Sequence, residues 1–153
     1  MTKTKTLAAA VAGLLMFGSV QARQVKPGGA SGDRAAVEQA ALDYVDAIYQ
    51  TDPARIERSV HPQLTKRGFW RDNPTAPWGP QTTMTYDQLM NLAKTWNAKK
   101  NQDTSVKRVD IYEVLDQTAS AKVTASWGID YLHLAKYDNA WKIINIVWQA
   151  KPR

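Results

Sequence analysis

Residues 127–150 read W-G-I-D-Y-L-H-L-A-K-Y-D-N-A-W-K-I-I-N-I-V-W-Q-A. Two apolar runs, 129–135 and 141–150, flank Tyr137-Asp138-Asn139-Ala140. Asp and Asn tolerate positive φ and bond their own backbone, so the tetrapeptide predicts a hairpin turn between two strands. By alternation Asp130 shares a face with Leu132 and Leu134, and His133 falls opposite with Tyr131 and Ala135. In the last run, alternation sets Trp141, Ile143 and Val147 against Ile144, Ile146 and Trp148. A strand apolar on both faces needs cover on both: helices on one, and on the other a second copy of the chain.

Before the hairpin, Ala119, Ala121, Val123, Ala125 and Trp127 alternate with Ser120, Lys122, Thr124 and Ser126, the pattern of a half-buried antiparallel strand. Its small buried residues leave room for something bulky above. Gly128 suits a bend. A further strand carries Val109, Ile111 and Leu115 on one face and Tyr112 and Val114 on the other, with a turn at Asp116-Gln117. Thr85 and Gln88 form a capping box, and Leu89, Met90, Leu92, Ala93 and Trp96 make the apolar face of the helix it opens. Residues 71–83 hold Pro74, Pro77, Gly79 and Pro80 and form a long irregular loop. Residues 63–70 predict a short strand.

Val37, Ala41, Tyr44, Val45 and Ile48 give the first helix one apolar stripe, with Asp33 as its N-cap. Asp52 caps a short second helix, Pro53 takes its first position, Ile56 and Val60 are its buried residues, and His61-Pro62 ends it. Helices first and a long sheet afterwards make the class α+β: three N-terminal helices packed against a curved antiparallel sheet, a cone with a mouth at one end.

The N-terminus predicts processing rather than structure. Lys3 and Lys5 precede an apolar run, 7–20, and Val20-Gln21-Ala22 is a small-x-small cleavage pattern. Residues 1–22 therefore read as a secretory signal peptide, 23–32 as a flexible lead-in and 33–153 as the domain. The expected location is periplasmic or secreted, with no membrane association after cleavage. The chain has no cysteine, which excludes a lipid-anchored Cys, a disulfide framework, a thiolate nucleophile and a Cys metal site. Without Lys3 and Lys5 the formal charge falls from +6 to +4. Asp103 and Asp110 dilute the densest basic pairs, Lys99-Lys100 and Lys107-Arg108, so there is no basic stripe for nucleic acid.

The segment 130–148, D-Y-L-H-L-A-K-Y-D-N-A-W-K-I-I-N-I-V-W, resembles the signature D-Y-L-x-L-x-K-x-D-G-x-W-K-I-x-N of the "putative lumazine-binding" family. That family lies within the nuclear transport factor 2-like, SnoaL-like or cystatin-like superfamily. Asn139 stands where Gly is usual, and S-V-H-P-Q-L at 59–64 is similar to the family's H-P after helix two. The resemblance spans roughly 34–150. It implies the cone fold, a small-molecule ligand and a homodimer through the sheet.

Several residues can carry chemistry. His61, placed near the cone mouth by the resemblance, has a pKa suited to a general base or ligand donor; the alternative is a helix-ending His bonded to backbone. Asp130 on an apolar face is either a catalytic carboxylate or ligand acceptor, or a structural acceptor for Tyr or backbone groups. Trp70, Trp78, Trp96, Trp127 and Trp148, with Tyr44, can line a cavity, although Trp96, Trp127 and Trp141 read first as core. Trp70 and Trp78 flank the proline-rich loop, where a rim over a flat ligand explains them. Arg67 and Arg71 nearby can pair with an anionic group. The two histidines show no metal-ligand spacing, and no phosphate-loop or dinucleotide fingerprint occurs, so neither metal nor cofactor is expected. The leading expectation is an exported protein that binds one small molecule. The rivals are an isomerase or dehydratase using His61 and Asp130 as acid and base, and a dimerisation or adaptor module whose cone is filled by its own tryptophans.

Overall fold

The computed structural model describes residues 30–151. The predicted signal peptide, 1–22, and residues 23–29 of the predicted lead-in lie outside the described residues. Helix α1 spans Ala30–Gln50, so Asp33 lies inside its first turn and is not the N-cap. Its carboxylate faces the distant hairpin instead. It accepts from Lys136 Nζ at 2.8 Å and from Trp141 Nε1 at 3.0 Å, which ties the start of the helix to the strands around the turn. Helix α2 is Ala54–Ser59, with Pro53 as N-cap residue. Asp52 still accepts the N–H of Ala54.

Strand β1 follows at once, over Val60–Phe69. Val60 is therefore a buried strand residue rather than part of the second helix, and His61-Pro62 lies in the strand. β2 is Thr82–Met84, α3 is Tyr86–Thr95, β3 is Lys107–Val114, β4 is Thr118–Ala125, β5 is Gly128–Tyr137 and β6 is Ala140–Ala150. The capping box that opens α3 is present, with Thr85 accepting from Gln88 N and Gln88 Oε1 accepting from Thr85 N. The turn of the long hairpin has positive φ at Asp138 and Asn139.

The six strands form one sheet in the order β2-β1-β6-β5-β4-β3. All neighbours are antiparallel except β1 and β6, which run parallel. The described residues are thus α+β, an unclosed curved sheet with three helices. Helix α1 contacts β3, β4 and β6, and Val37, Ala41, Tyr44, Val45 and Ile48 of its apolar stripe are buried in the core. The small residues Ala119, Ala121 and Ala125 of β4 belong to the same core.

Strict alternation fails in two strands. In β6, His133 pairs with Asn145 and Leu134 with Ile143, so Ile144 is one residue in excess. This bulge turns Ile146 and Trp148 to the same side as Trp141 and Ile143, and leaves Val147 exposed. The apolar set expected on two faces is largely one face interrupted by a bulge. In β3 a second irregularity, between Ile111 and Glu113, packs Val114 on the core and leaves Tyr112 and Leu115 exposed. The outer face retains Phe69, Tyr131 and Val147 as exposed large apolar residues.

Candidate functional site

At one end of the sheet, Gly68 of β1 pairs with Trp148 of β6, and Trp148 with Asp130 of β5. The inward residues of β1 are Leu64, Lys66 and Gly68. Lys66, with Ile48 of α1, Leu92 of α3, Trp70, Met84, Trp96, Trp127 and Trp148, lines a cavity of about 230 Å³. Four indoles and one ammonium group dominate its wall. Gly68 is what allows the Trp148 ring to lie against the sheet. A Cβ there would meet the ring Cγ at 2.5 Å and collide with the Trp148 carbonyl oxygen.

The indoles are held from behind. Trp127 meets Tyr49 edge to face at 5.3 Å between centroids and Trp96 at 5.6 Å, while Trp96 stacks on Tyr49 at 5.6 Å. Tyr49 is fixed in turn by Ser126, whose N–H donates to its hydroxyl at 2.7 Å. Trp127 Nε1 donates to Asp130 Oδ2 at 2.9 Å. The indole faces of the cavity are therefore held in place by the protein's own contacts.

Behind the wall lies a buried polar group of three. Asp130 is wholly buried and Lys66 is 6% exposed. Lys66 Nζ donates to Tyr44 Oη, and Tyr44 Oη donates to Asp130 Oδ2 at 3.2 Å. Lys66 Nζ stands 3.8 Å from Asp130 Oδ1, which has no hydrogen-bond partner among the described residues. Burial pulls the Lys66 amine below the ordinary lysine value, and the Asp130 charge opposes that pull. Burial, then Asp130, pushes the Tyr44 phenol well above its ordinary value. The Lys66 ammonium also lies 5.2 Å from the Tyr44 ring centroid and 5.6 Å from that of Trp148. Among the described residues Lys66 is the one charged side chain that lines the cavity.

The residues chosen from sequence sort into five places. Trp70, Trp127 and Trp148 line the cavity. Tyr44 and Asp130 stand one layer behind it and reach it through Lys66. Arg71 and Trp78 lie beside it. Arg71 lines a second cleft of about 230 Å³ that shares Trp70 and Trp127 as walls, and its guanidinium stacks on Trp78 at 4.3 Å. Arg67 projects from the outer face of β1, and His61 lies at the far end of the sheet.

His61 stacks on Tyr137 at 4.4 Å, and its Nδ1 accepts from Gln63 N. Tyr137 lies seven positions along β5 from Asp130, roughly 23 Å at the rise of a strand. An acid–base pair of His61 and Asp130 is therefore ruled out by geometry. Trp141 is buried in the core, and Trp96 and Trp127 pack against the core while also lining the cavity. Lys66 was missed. Its signal was its phase, since it sits between Leu64 and Gly68 on the buried face of β1. Among the described residues no group of three or more His, Cys, Asp or Glu is placed to hold a metal.

Solved structures of three bacterial proteins share the architecture. One, from Silicibacter pomeroyi, is 17% identical with a TM-score of 0.62, and the match covers 79% of this chain and 98% of that one. Another, from Shewanella baltica, is 14% identical with a TM-score of 0.59, over 81% and 98%. A third, from Methylobacillus flagellatus, is 19% identical with a TM-score of 0.53, over 77% and 91%. All three are described as NTF2-like proteins of unknown function, and at these identities they establish the fold alone. No curated protein matches the sequence. The family described as "Putative lumazine-binding" matches residues 32–149, nearly the whole described domain, and the chain belongs to that family.

Proposed function

We propose that the protein is exported and binds one small, flat ligand in the indole-walled cavity. The observation that carries this reading is the wall itself. Trp70, Trp96, Trp127 and Trp148 enclose about 230 Å³ together with a single ammonium group, that of Lys66. That volume lies a little below the usual range of small-molecule pockets, roughly 300–1,000 Å³, so it favours one compact ring system. Rings stack on the indoles, and a carbonyl or ring-nitrogen acceptor meets Lys66. A heteroaromatic dione of the lumazine type has both features, in keeping with the family's description.

Titration with lumazine and with a flavin, followed by tryptophan fluorescence, tests the reading. Saturable quenching that weakens in Trp148→Ala supports it. Absence of quenching by either at high micromolar concentration refutes the heteroaromatic ligand. An adaptor module filled by its own tryptophans is disfavoured by the open cavity.

The outer face of the sheet, with Phe69, Tyr131 and Val147 exposed, is proposed as a homodimer contact. Light scattering on the chain and on Tyr131→Lys tests that. A monomeric parent chain at high micromolar concentration would remove the proposal.

A further inference from the structure

The second cleft adjoins the cavity and has the opposite chemistry. The two share Trp70 and Trp127 as walls, and the remaining lining of the second includes Arg71, Asp72, Asn73, Ser126 and Lys151. Arg71 is the unusual member. It is only 5% exposed, yet no carboxylate lies within 4 Å of it among the described residues, Asp72 included. Its Nη2 donates to the Lys151 carbonyl oxygen at 2.7 Å and its guanidinium covers the Trp78 ring. Its Nε is buried with no acceptor among the described residues. A buried cation is costly without a counter-charge, and a ring face with one carbonyl is a partial substitute.

The two buried cations near the ligand cavity are therefore not equivalent. Lys66 faces Asp130, so that pair adds no net charge to the cavity. Among the described residues Arg71 has no such partner. A ligand anion gains more at Arg71, where a planar fork of N–H donors suits an oxyanion. Asp72 on the same cleft opposes the anion, but it is exposed to solvent, which screens it.

We propose that the ligand is amphiphilic, with a flat ring in the tryptophan cavity and a carboxylate or other oxyanion in the adjoining cleft at Arg71. This rests on the reading of the cavity as a ligand pocket. The test compares 2-naphthoate with neutral 2-naphthol on the chain from which the leader has been removed, at low salt and neutral pH, by tryptophan quenching. The expected result is naphthoate binding at least tenfold more tightly, an advantage that shrinks as salt is raised. Arg71→Met should remove the advantage and leave the naphthol Kd within twofold. Arg71→Lys should retain part of it. Equal binding of the two probes by the parent chain overturns the anion site and leaves the pocket standing. So does an advantage that survives in folded Arg71→Met. If neither probe quenches, the pocket reading fails and this inference with it. The comparison on the parent chain decides the matter even if the variants fold poorly.

Discussion

Replacing Lys66 with Met tests the buried pair most directly. Lys66 Nζ and Asp130 Oδ1 are 3.8 Å apart, with side-chain exposures of 5% and 0%. At an effective dielectric constant of about 20, two unit charges at that separation attract by about 4 kcal/mol. Removing one partner of a buried pair typically costs about 3–5 kcal/mol, because the survivor stays buried and uncompensated. Asp130 would keep its hydrogen bonds from Tyr44 and Trp127, which holds the expected loss near 4 kcal/mol. For a domain of this length that is roughly 12–20 °C in Tm. The assay is urea and thermal unfolding followed by circular dichroism. The double variant Lys66→Met with Asp130→Asn removes both charges and keeps an acceptor for Trp127 Nε1. It should recover more than half of the loss, because the two effects are coupled. A single variant within 1 kcal/mol of the parent (about one RT-scale factor of five in population), or simple additivity in the double, refutes the claim that these charges are paired.

Three other outcomes follow from the geometry. Gly68→Ala forces a methyl group into Trp148; it should cost roughly 1–3 kcal/mol and shift the tryptophan emission spectrum, and an unchanged spectrum would contradict the placement of that ring. His61→Ala should leave lumazine or naphthoate affinity within twofold and cost about 0.5–1.5 kcal/mol through the lost Tyr137 stack. A tenfold loss of affinity there would return His61 to the site. Acid should destabilise the fold. Lys136, then Trp141, hold the Asp33 carboxyl below its usual value; Arg108, then Lys122, do the same for Asp110. A depressed carboxyl stabilises the fold above the unfolded pKa, about 3.9, and the contribution is lost as pH falls through the lower folded value. The urea midpoint should therefore hold from pH 7 to 5 and drop below about pH 4. In Asp33→Asn the drop should be smaller, and an equal drop would exclude Asp33 as a contributor.

Much of this architecture is written in local pattern. The Asp138-Asn139 turn, the capping box at Thr85 and the alternation of β4 each arise from a few neighbouring residues, and each is present. What local pattern misses is long-range. Asp33 looks like an N-cap until the hairpin supplies Lys136 and Trp141 as partners. The face of Trp148 depends on an excess residue at Ile144, visible only once β5 is the measure. The site shows the same division. Asp130 stands out as an acid among leucines, but its partners Tyr44 and Lys66 come from α1 and β1, 86 and 64 positions away. A lysine in a mixed strand such as V-H-P-Q-L-T-K-R-G-F announces burial only through its phase with Leu64 and Gly68. His61 misleads because a His-Pro pair reads alike at the end of a helix and in an irregular stretch of strand.

The excess residue in β6 has a wider consequence. β1 loses register against β6 between Val60 and Thr65, and β6 loses register against β5 between Ile143 and Asn145. The two faults meet at the same place and form a crease across three strands. On one side lie Val60, Leu134, Trp141 and Ile143, which hold the domain together; on the other lie Lys66, Asp130 and Trp148. A crease lets two panels of one sheet take different angles. The panel that carries the indole-walled cavity is set off by the crease from the panel that carries the core, so side chains of the first can be exchanged with little disturbance to the packing of the second.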